Sequence, residues 1–554
     1  MTKDQLWHKY YPEGISTQMD LPNVSLYCLL EQAAHKYPDN QAILFLNHEL
    51  TYRQLKERVD RFAMALHSLG IKKGDRVVFM LPNCPQIVIS YYAVACLGAV
   101  GVMVNPLFTE RELSYLLKDS GAETIICLDQ LQQKVINVLP ETSVKRVIST
   151  GFQDYLSLPL HLPGSSQETS QGHEPGTRGV FRFEQLLQQH LPTPPRVELE
   201  VEKDLALLQY TGGTTGVIKG AMLTHKNLSS NVMQTRAWLN ICEEGKERFF
   251  CVLPFFHVFA MTTCMNLSVY LAAAMILIPR LEAMNLLKQI QQYRPTVFQG
   301  VPSLYVAVIS HPEVKKYDLS SIRCCVSGGA PLPAEVQQQF EALTGAKLVE
   351  GYGLTEASPV THCNPVAGYR ISGSIGLPMP NTEIKIMDLE TGTRELPPGE
   401  VGELCVKGPQ VMKGYWNMPE ETSKVLRDGW LYTGDIARMD ESGFTYIVDR
   451  KKDMVISMGY NVYPREVEEV LYEHPAVKEA AVIGLKDRHR GEVLKAFVVL
   501  KEGAEARRED IIKFCRRYLA QYKVPKQVEF RAELPKSSVG KILRRVLVEE
   551  EKQR

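Results

Sequence analysis

The chain has 554 residues, 45% of them hydrophobic and 23% charged, with Lys+Arg and Asp+Glu equal at 63 each. That length exceeds what a single core organises, so two or more domains are expected. The absence of a basic excess argues against nucleic acid as an obligate partner. The 12 cysteines are scattered without a C-x-x-C pair, although Cys324 and Cys325 are adjacent. This argues against metal and disulfide frameworks and for a reducing, cytoplasmic setting. The opening MTKDQLWHKYYPEG lacks the apolar core of a signal peptide. The apolar runs 91–104 and 267–279 are shorter than the roughly 18–20 residues that span a bilayer. Both read as buried core, and peripheral contact with a membrane stays open.

In chain order, residues 51–70 place Leu55, Val59, Phe62, Leu66 and Leu69 at helical spacing before a Gly70 stop. RVVFML at 76–81 reads as a buried strand. Thr109 and Glu112 form a capping box with Leu113, Leu116 and Leu117 behind it. TIICL at 124–128 reads as the next strand. This alternation predicts an α/β fold, with helices packed on mostly parallel sheets. Residues 162–180, rich in Gly, Ser, Gln and Pro, read as a surface loop or flexible insertion. A strand at 205–210 precedes a helix at 227–238. Later, a strand at 444–448 runs into the charge run DRKKD at 449–453 and a short apolar stretch at 454–457. A solvated turn is the ordinary reading of such a run. Beyond it the pattern is α+β. A helix at 464–472 turns Val467, Val470 and Leu471 inward, strands follow at 480–484, 496–500 and 527–530, and a helix at 508–519. A run of about 100 residues of this kind makes a plausible small domain, so a boundary is expected at DRKKD. No internal repeat is visible.

Five blocks carry chemistry. YTGGTTGVIKGA at 210–221 concentrates glycines, threonines and a lysine between the strand at 205–210 and the helix at 227–238. Glycines permit close backbone approach, and hydroxyls and an ammonium grip phosphate oxygens. The block is not G-x-x-x-x-G-K-[ST], because Val217 and Ile218 stand five residues after Gly212 and Gly213. Thr211, Thr214, Thr215 and Lys219 are the expected phosphate contacts, at a strand end where open α/β folds bind ligands. The alternative is a flexible hairpin. EGYGLTE at 350–356 places Tyr352 between glycines, free to lie against a base, with Thr355 for a phosphate and Glu356 for a divalent cation. SGGAP at 327–331 reads as a strand-to-helix turn that could cradle a ligand. YTGD at 432–435 offers Asp435 to ribose hydroxyls, and PKSSVGKILRR at 535–545 sets Lys541 after Gly540 in a polar turn. A lone TGD is more often structural, and a basic tail more often solvated.

Together and in this order, YTGGTTGVIKG, EGYGLTE, YTGD, DRKKD and PKSSVGK resemble the acyl-adenylate-forming superfamily of acyl-CoA ligases, peptide-synthetase adenylation domains and luciferases. The resemblance runs from about residue 26 to about 545 and is most like the bacterial long-chain fatty-acid–CoA ligases. VNPLFTERELSYLLKDSGA, PFFHVFAMT and DRKKDMVISMGYNVYPREVEEVL carry that subgroup's wording.

The resemblance implies a large domain at 1–449, a hinge at 450–452 and a small mobile α+β domain at 453–554. It implies ATP, a fatty acid and CoA as substrates with Mg²⁺ as cofactor, and is compatible with a homodimer. ATP would be held by Thr211, Gly212, Gly213, Thr214, Thr215, Gly216, Lys219, Gly328, Gly329, Ala330, Glu350, Gly351, Tyr352, Gly353, Asp435, Ile447 and Arg450. Asp435 and Arg450 would anchor the ribose, and Gly328–Ala330 with Tyr352 would frame the adenine. Mg²⁺ would sit on Glu356 and Thr211, and Lys541, Glu356 and Thr355 would serve catalysis. His257, Met261 and Gly300 would line the acyl pocket, with Gly328 at the channel, Lys452 at the hinge and Gly459 at the CoA tunnel. Met261 stands where some members carry an aromatic gate, and Ser537 replaces a common threonine. Rival readings keep the fold and change the acid to a medium-chain, aryl or other carboxylate, or the acceptor to a carrier-protein thiol. A non-catalytic acyl or nucleotide sensor is the reading from another class, and intact Lys541, Glu356 and Asp435 argue against it.

Overall fold

Local capping signals start the first helices. The computed structural model describes residues 6–155, 179–211, 218–280, 283–457, 460–487, 491–537 and 542–554. In it, Thr51 Oγ1 accepts from Gln54 N at 3.3 Å, and the Gln54 side chain accepts from Thr51 N at 2.9 Å, which opens the helix Tyr52–Ser68. Thr109 and Glu112 repeat the device for the helix Glu110–Ser120, which ends at Gly121 with φ 60°. A cap of this kind contributes about 1 kcal/mol. Burial of Leu55, Val59, Phe62 and Leu66 along one face contributes more, roughly 1.5–3 kcal/mol for each fully buried side chain.

The chain separates into two compact units. One comprises Tyr10–Glu383 and Lys407–Gly429. Its first strands are the hairpin β1 (Gln41–Phe45) and β2 (His48–Thr51). Then come β3 (Arg76–Met80), β4 (Val100–Met103), β5 (Thr124–Leu128), β6 (Arg146–Thr150), β7 (Gly179–Arg182), β8 (Leu205–Thr211) and β9 (Lys219–Thr224). These seven form a sheet in the order β7-β6-β5-β3-β4-β8-β9, parallel except for the antiparallel β8–β9 pair. Val78, Val102, Ile125 and Leu208 pack beneath Leu113, Leu116 and Leu117 of the helix Glu110–Ser120. The strands β10 (Arg248–Cys251) and β11 (Ala274–Leu277) run parallel to β1 in a four-stranded sheet. A third sheet joins β12 (Cys324–Ser327), β13 (Lys347–Gly353), β14 (Val360–Cys363) and β15 (Leu377–Pro378) in sequence order.

The other unit comprises Ile384–Val406 and Trp430–Arg554 with the start of the chain through Lys9. Its strands are β16 (Glu383–Met387), β17 (Gly402–Lys407), β19 (Trp430–Met439) and β20 (Thr445–Arg450), while the two-residue β18 (Leu426–Arg427) falls within the residues of the first unit. β19 pairs antiparallel with β17 and with β20. Beyond them lie β21 (Val455–Ser457), β22 (Tyr460–Val462), β23 (Val477–Asp487), β24 (Gly491–Leu500) and β25 (Gln527–Phe530), with the helices Pro464–Tyr472, Arg508–Tyr518 and Arg544–Lys552. Their sheet runs β22-β21-β24-β23, with β25 parallel to β24. Val467, Leu471, Ile511 and Cys515 close the core against it, with Val470 partly buried alongside.

Two expectations change. Gly179 and Val180, read as the end of a loop, form β7 beside β6, because main-chain pairing does not require an apolar alternation there. The rest of that segment, 162–178, lies outside the described residues. The charge run DRKKD is not all solvated turn either. β20 extends through Asp449 and Arg450, and Asp449 is 3% exposed. The apolar runs at 91–104 and 267–279 are buried almost throughout, and among the described residues no helix is long and apolar enough to cross a membrane.

Gly376 has φ 88°, and a Cβ there would lie 2.1 Å from Asn364 N and Cys363 C, both main-chain atoms. Gly376→Ala should therefore destabilise the unit by roughly 2–5 kcal/mol, combining left-handed strain with overpacking. Gly503→Ala, with φ 73° and open space around the new methyl, should cost only about 1–2 kcal/mol. Thermal melts of the two variants check the ranking.

Candidate active site

The register of β8 with β9 sets Thr211 opposite Lys219 and Tyr210 opposite Gly220. The two ends of the glycine–threonine loop are thereby pinned together by main-chain pairing. Tyr210 Oη donates to Asp119 Oδ2 at 2.6 Å, fixing the strand to the helix Glu110–Ser120. On the other edge of β9 runs the segment 411–416, through Met222 N to Gly414 O at 2.8 Å and Trp416 N to Gly220 O at 2.8 Å. Lys219 is nearly buried. Its ammonium pairs with Glu421 and lies 5.0 Å from the Tyr415 ring centre. The hydrogen bond from Lys219, with a second from Lys424, holds the Glu421 carboxyl down at about 2.

Tyr415 links this cluster to the end of β13. Its hydroxyl donates to Glu356 Oε1 at 2.7 Å, and Met412 N donates to Glu356 O at 2.8 Å. Burial, then the Glu356 charge, pushes the Tyr415 phenol well above its usual range, so it stays a donor. Thr355 and Glu356 stand in the turn Thr355–Ala357, just beyond β13. Glu350, Gly351, Tyr352 and Gly353 are the last residues of β13. Glu350 is buried, and Tyr352 meets His362 of β14 edge-on, with ring centres 5.9 Å apart. The arrangement gathers Thr211, Lys219, Tyr415 and Glu356 around the loop ends.

His257 is half-buried, and its Nδ1 accepts from Phe259 N at 3.3 Å, a local cap. The residues Met261–Asn266 that follow form a buried π-helix, a geometry often found at functional sites. Thr262 Oγ1 donates to Ser358 O at 2.7 Å and ties that helix to the turn after Glu356. Gly300 and Gly328 are neighbours, with Gly328 N donating to Gly300 O at 3.1 Å. A Cβ on Gly328 would stand 3.1 Å from the Phe259 ring, and one on Gly300 would stand 2.9 Å from the Tyr305 ring. Gly329, with φ 79°, and half-buried Ala330 follow in the turn leaving β12.

The remaining predicted residues belong to the other compact unit. Asp435 faces Arg450 across β19 and β20, with Arg450 Nε 3.3 Å from Asp435 Oδ1. Half-buried Ile447 pairs with Ala437 on the same ladder. Lys451 Nζ donates to Glu403 Oε2 at 2.8 Å, and Lys452 is exposed. Gly212, Gly213, Thr214, Thr215, Gly216, Gly459 and Lys541 lie outside the described residues. Sequence reasoning missed Tyr415 and Glu421. The stretch GYWNMPEE at 414–421, two aromatics after a glycine and two carboxylates after a proline, was the available signal.

Residues 30–416 match the AMP-binding enzyme family, and residues 466–541 match the AMP-binding enzyme C-terminal domain. The chain is 49% identical to a long-chain-fatty-acid–CoA ligase of Bacillus subtilis, covering 100% of this chain and 99% of that protein. It is 43% identical to the protein of the same name from Salmonella typhimurium, covering 99% and 98%. Among solved structures, ATP-bound MatB from Rhodopseudomonas palustris superposes with a TM-score of 0.84 at 30% identity, covering 96% of this chain and 99% of that one. A fatty acyl CoA synthetase of Mycobacterium tuberculosis gives 0.74 at 30% identity, covering 96% and 98%. The chain belongs to the AMP-binding enzyme family.

Two buried histidines give the site region a pH signature. Burial pushes His362 down to about 3 and His225 down to about 4. Both are neutral when folded, whereas unfolded histidine protonates near 6.5. Stability is therefore intact above about pH 6.5 and falls as the pH drops towards the folded values, by about 1.4 kcal/mol per unit for each histidine. His362→Asn should remove about half of the slope that the pair contributes between about pH 6.5 and pH 4. Denaturant unfolding across that range checks it, and an unchanged slope contradicts a neutral buried imidazole.

Proposed function

We propose that this chain joins a long-chain fatty acid to CoA at the expense of ATP, through an acyl-AMP intermediate, releasing AMP and pyrophosphate. The observation that carries this reading is identity along the whole chain to relatives bearing the name long-chain-fatty-acid–CoA ligase, at 49% and 43%. A 4-coumarate–CoA ligase from Nicotiana tabacum is less similar, at 35%, so the aryl-acid alternative is disfavoured. The setting is cytoplasmic, where ATP and CoA are available.

A carboxylate is a poor acyl donor, because its leaving group would be an oxide. In the first step a carboxylate oxygen attacks the α-phosphorus of ATP, and pyrophosphate departs with the electrons of the broken P–O bond. In the second, the CoA sulfur attacks the acyl carbon, the bond to AMP breaks, and the thiol proton passes to solvent. No covalent enzyme intermediate is required. Both first-step reactants are anionic, so the protein's task is positioning and charge neutralisation.

The ends of the glycine–threonine loop, Thr211 and Lys219, bind the phosphates. Asp435 and Arg450 hold the ribose, Tyr352 and Gly328–Ala330 frame the base, and His257, Met261 and Gly300 line the acyl pocket. Lys541 bridges the carboxylate and the α-phosphate oxygens. Among the described residues, no group of three or more His, Cys, Asp and Glu forms a self-contained metal cage. Glu356, held by Tyr415, with Thr211 at the loop end, instead fits Mg²⁺, which takes one or two carboxylates and leaves positions for phosphate oxygens. When bound there, the ion neutralises polyphosphate charge. The second step needs a different face, so residues after Lys452 rotate about 450–452, withdrawing Lys541 and presenting the 457–461 loop, where Gly459 leaves room for pantetheine.

Incubation with palmitate, ATP and CoA should yield AMP, pyrophosphate and palmitoyl-CoA, and no AMP with any carboxylate ends the proposal. Lys541→Ala should slow acyl-AMP formation on the order of 10²–10³-fold while sparing thioester formation from supplied palmitoyl-AMP. Tyr415→Phe strips Glu356 of its donor, and should raise the KM for Mg·ATP on the order of tenfold without touching that second half-reaction. Steady-state and half-reaction rates measure both.

A further inference from the structure

Asp449 sits at the end of β20, opposite Ile436 of β19, and is almost completely buried. Its Oδ1 accepts from Arg450 N at 2.7 Å and from Arg544 Nη1 at 3.2 Å. Its Oδ2 accepts from Arg465 N at 2.8 Å. That amide is in the first turn of the helix Pro464–Tyr472, whose N-cap residue Tyr463 supplies no side-chain cap. Asp449 therefore supplies from outside the acceptor that the helix start lacks, where its charge also suits the helix dipole.

Arg544 is shared among three carboxylates. Besides Asp449 it reaches Asp453 Oδ2 at 3.2 Å and Glu468, with Nε 3.0 Å from Glu468 Oε1. These partners fall on two sides of Lys452. Asp453, Arg465, Glu468 and Arg544 follow it in the chain, and Asp449 precedes it. A turn about 450–452 carries the first four together. It leaves Asp449 with β20, so the bonds that must break are those from Arg465 N and Arg544 to Asp449. Arg544 keeps Glu468 throughout, and Asp449 keeps only Arg450 N.

We infer that Asp449 is a positioning residue that acts as a latch: its carboxylate holds Arg544 and the start of the helix Pro464–Tyr472 in the observed orientation, and its release sets how the enzyme divides its time between the two half-reactions. The inference rests on the hinge reading given above. A purely structural ion cluster would instead support both half-reactions alike.

The test uses the full chain. Pyrophosphate release with palmitate and ATP gives one rate, and palmitoyl-CoA formation from supplied palmitoyl-AMP and CoA gives the other. Asp449→Asn keeps the shape and removes the charge, and should change the ratio of the two rates by at least about tenfold, equivalent to roughly 1.4 kcal/mol. Asp453→Asn removes a partner that travels with Arg544, and should leave the ratio within about twofold of the parent. Arg544→Lys cannot fork to Glu468 and Asp449 at once. It should reproduce the Asp449→Asn shift, and serves if that variant fails to fold. Equal changes in both rates for Asp449→Asn and Arg544→Lys overturn the latch, as does an equally large shift for Asp453→Asn. Lys452→Pro, which fixes φ at the hinge, separates the two ideas. A parental ratio in that variant removes the hinge reading, whereas an altered ratio there with a parental ratio in Asp449→Asn removes the latch alone.

Discussion

The antiparallel pairing of β8 with β9 is the constraint on which the rest of the candidate site depends. A sheet otherwise built from parallel pairs acquires one antiparallel pair at its edge, and that pair flanks the glycine–threonine loop proposed to bind phosphate. The register brings Thr211 and Lys219 face to face, and the missing side chain at position 220 leaves room for the Tyr210 ring opposite. A Cβ there would stand 3.1 Å from the Tyr210 ring, which is itself held by Asp119. The far edge of β9 then accepts the segment 411–416, and that segment carries Tyr415 to Glu356. Displacing β9 would move the loop ends, the lysine and the carboxylate together.

Lys219 and Arg450 are each paired with a carboxylate, so on the proposed reading phosphate or ribose binding is an exchange of partners. Lys219 is held by Glu421, and Glu421 is also held by Lys424. A partly exposed ion pair contributes little, whereas a charge-assisted hydrogen bond to a phosphate is stronger. On that reading the exchange favours the phosphate, and Lys424 keeps Glu421 paired. Asp435 and Arg450 differ in that the carboxylate is already fixed opposite the guanidinium by strand register.

Elements with long periodic signals were legible in the sequence. The capped helices Tyr52–Ser68 and Glu110–Ser120 and the strand Thr124–Leu128 start and stop within a residue or two of their motifs. The motif blocks marked the loop ends and Glu356 as well. Other features depend on partners far along the chain. Tyr415 matters because β9 and Glu356 flank it, and neither lies near it in sequence. The buried state of Asp449 depends on Arg544, 95 positions away, so a run of charges read locally looked solvated. The π-helix Met261–Asn266 leaves no periodic trace over six residues, and β7 is four residues of edge strand whose evidence is its neighbour.

Two-step acyl transfer makes opposed demands on one reacting carbon. A cation beside the α-phosphate speeds the first step, and the second requires a path for a thiol to reach that carbon. A rigid site meets one demand well and the other poorly, so the energy separating two orientations must be small. The Asp449 contacts have that scale: release breaks the bonds from Arg465 N and Arg544, but Arg544 retains Glu468 and the freed amide turns to water, so the net loss is about one charge-assisted hydrogen bond. At roughly 1.5–3 kcal/mol this biases the two orientations by ten- to about a hundredfold, strong enough to define a resting state and weak enough to leave the other populated. Breaking a buried pair outright costs about 3–5 kcal/mol and would hold the enzyme at one step. Sharing Arg544 among three carboxylates brings the cost of release into the useful range.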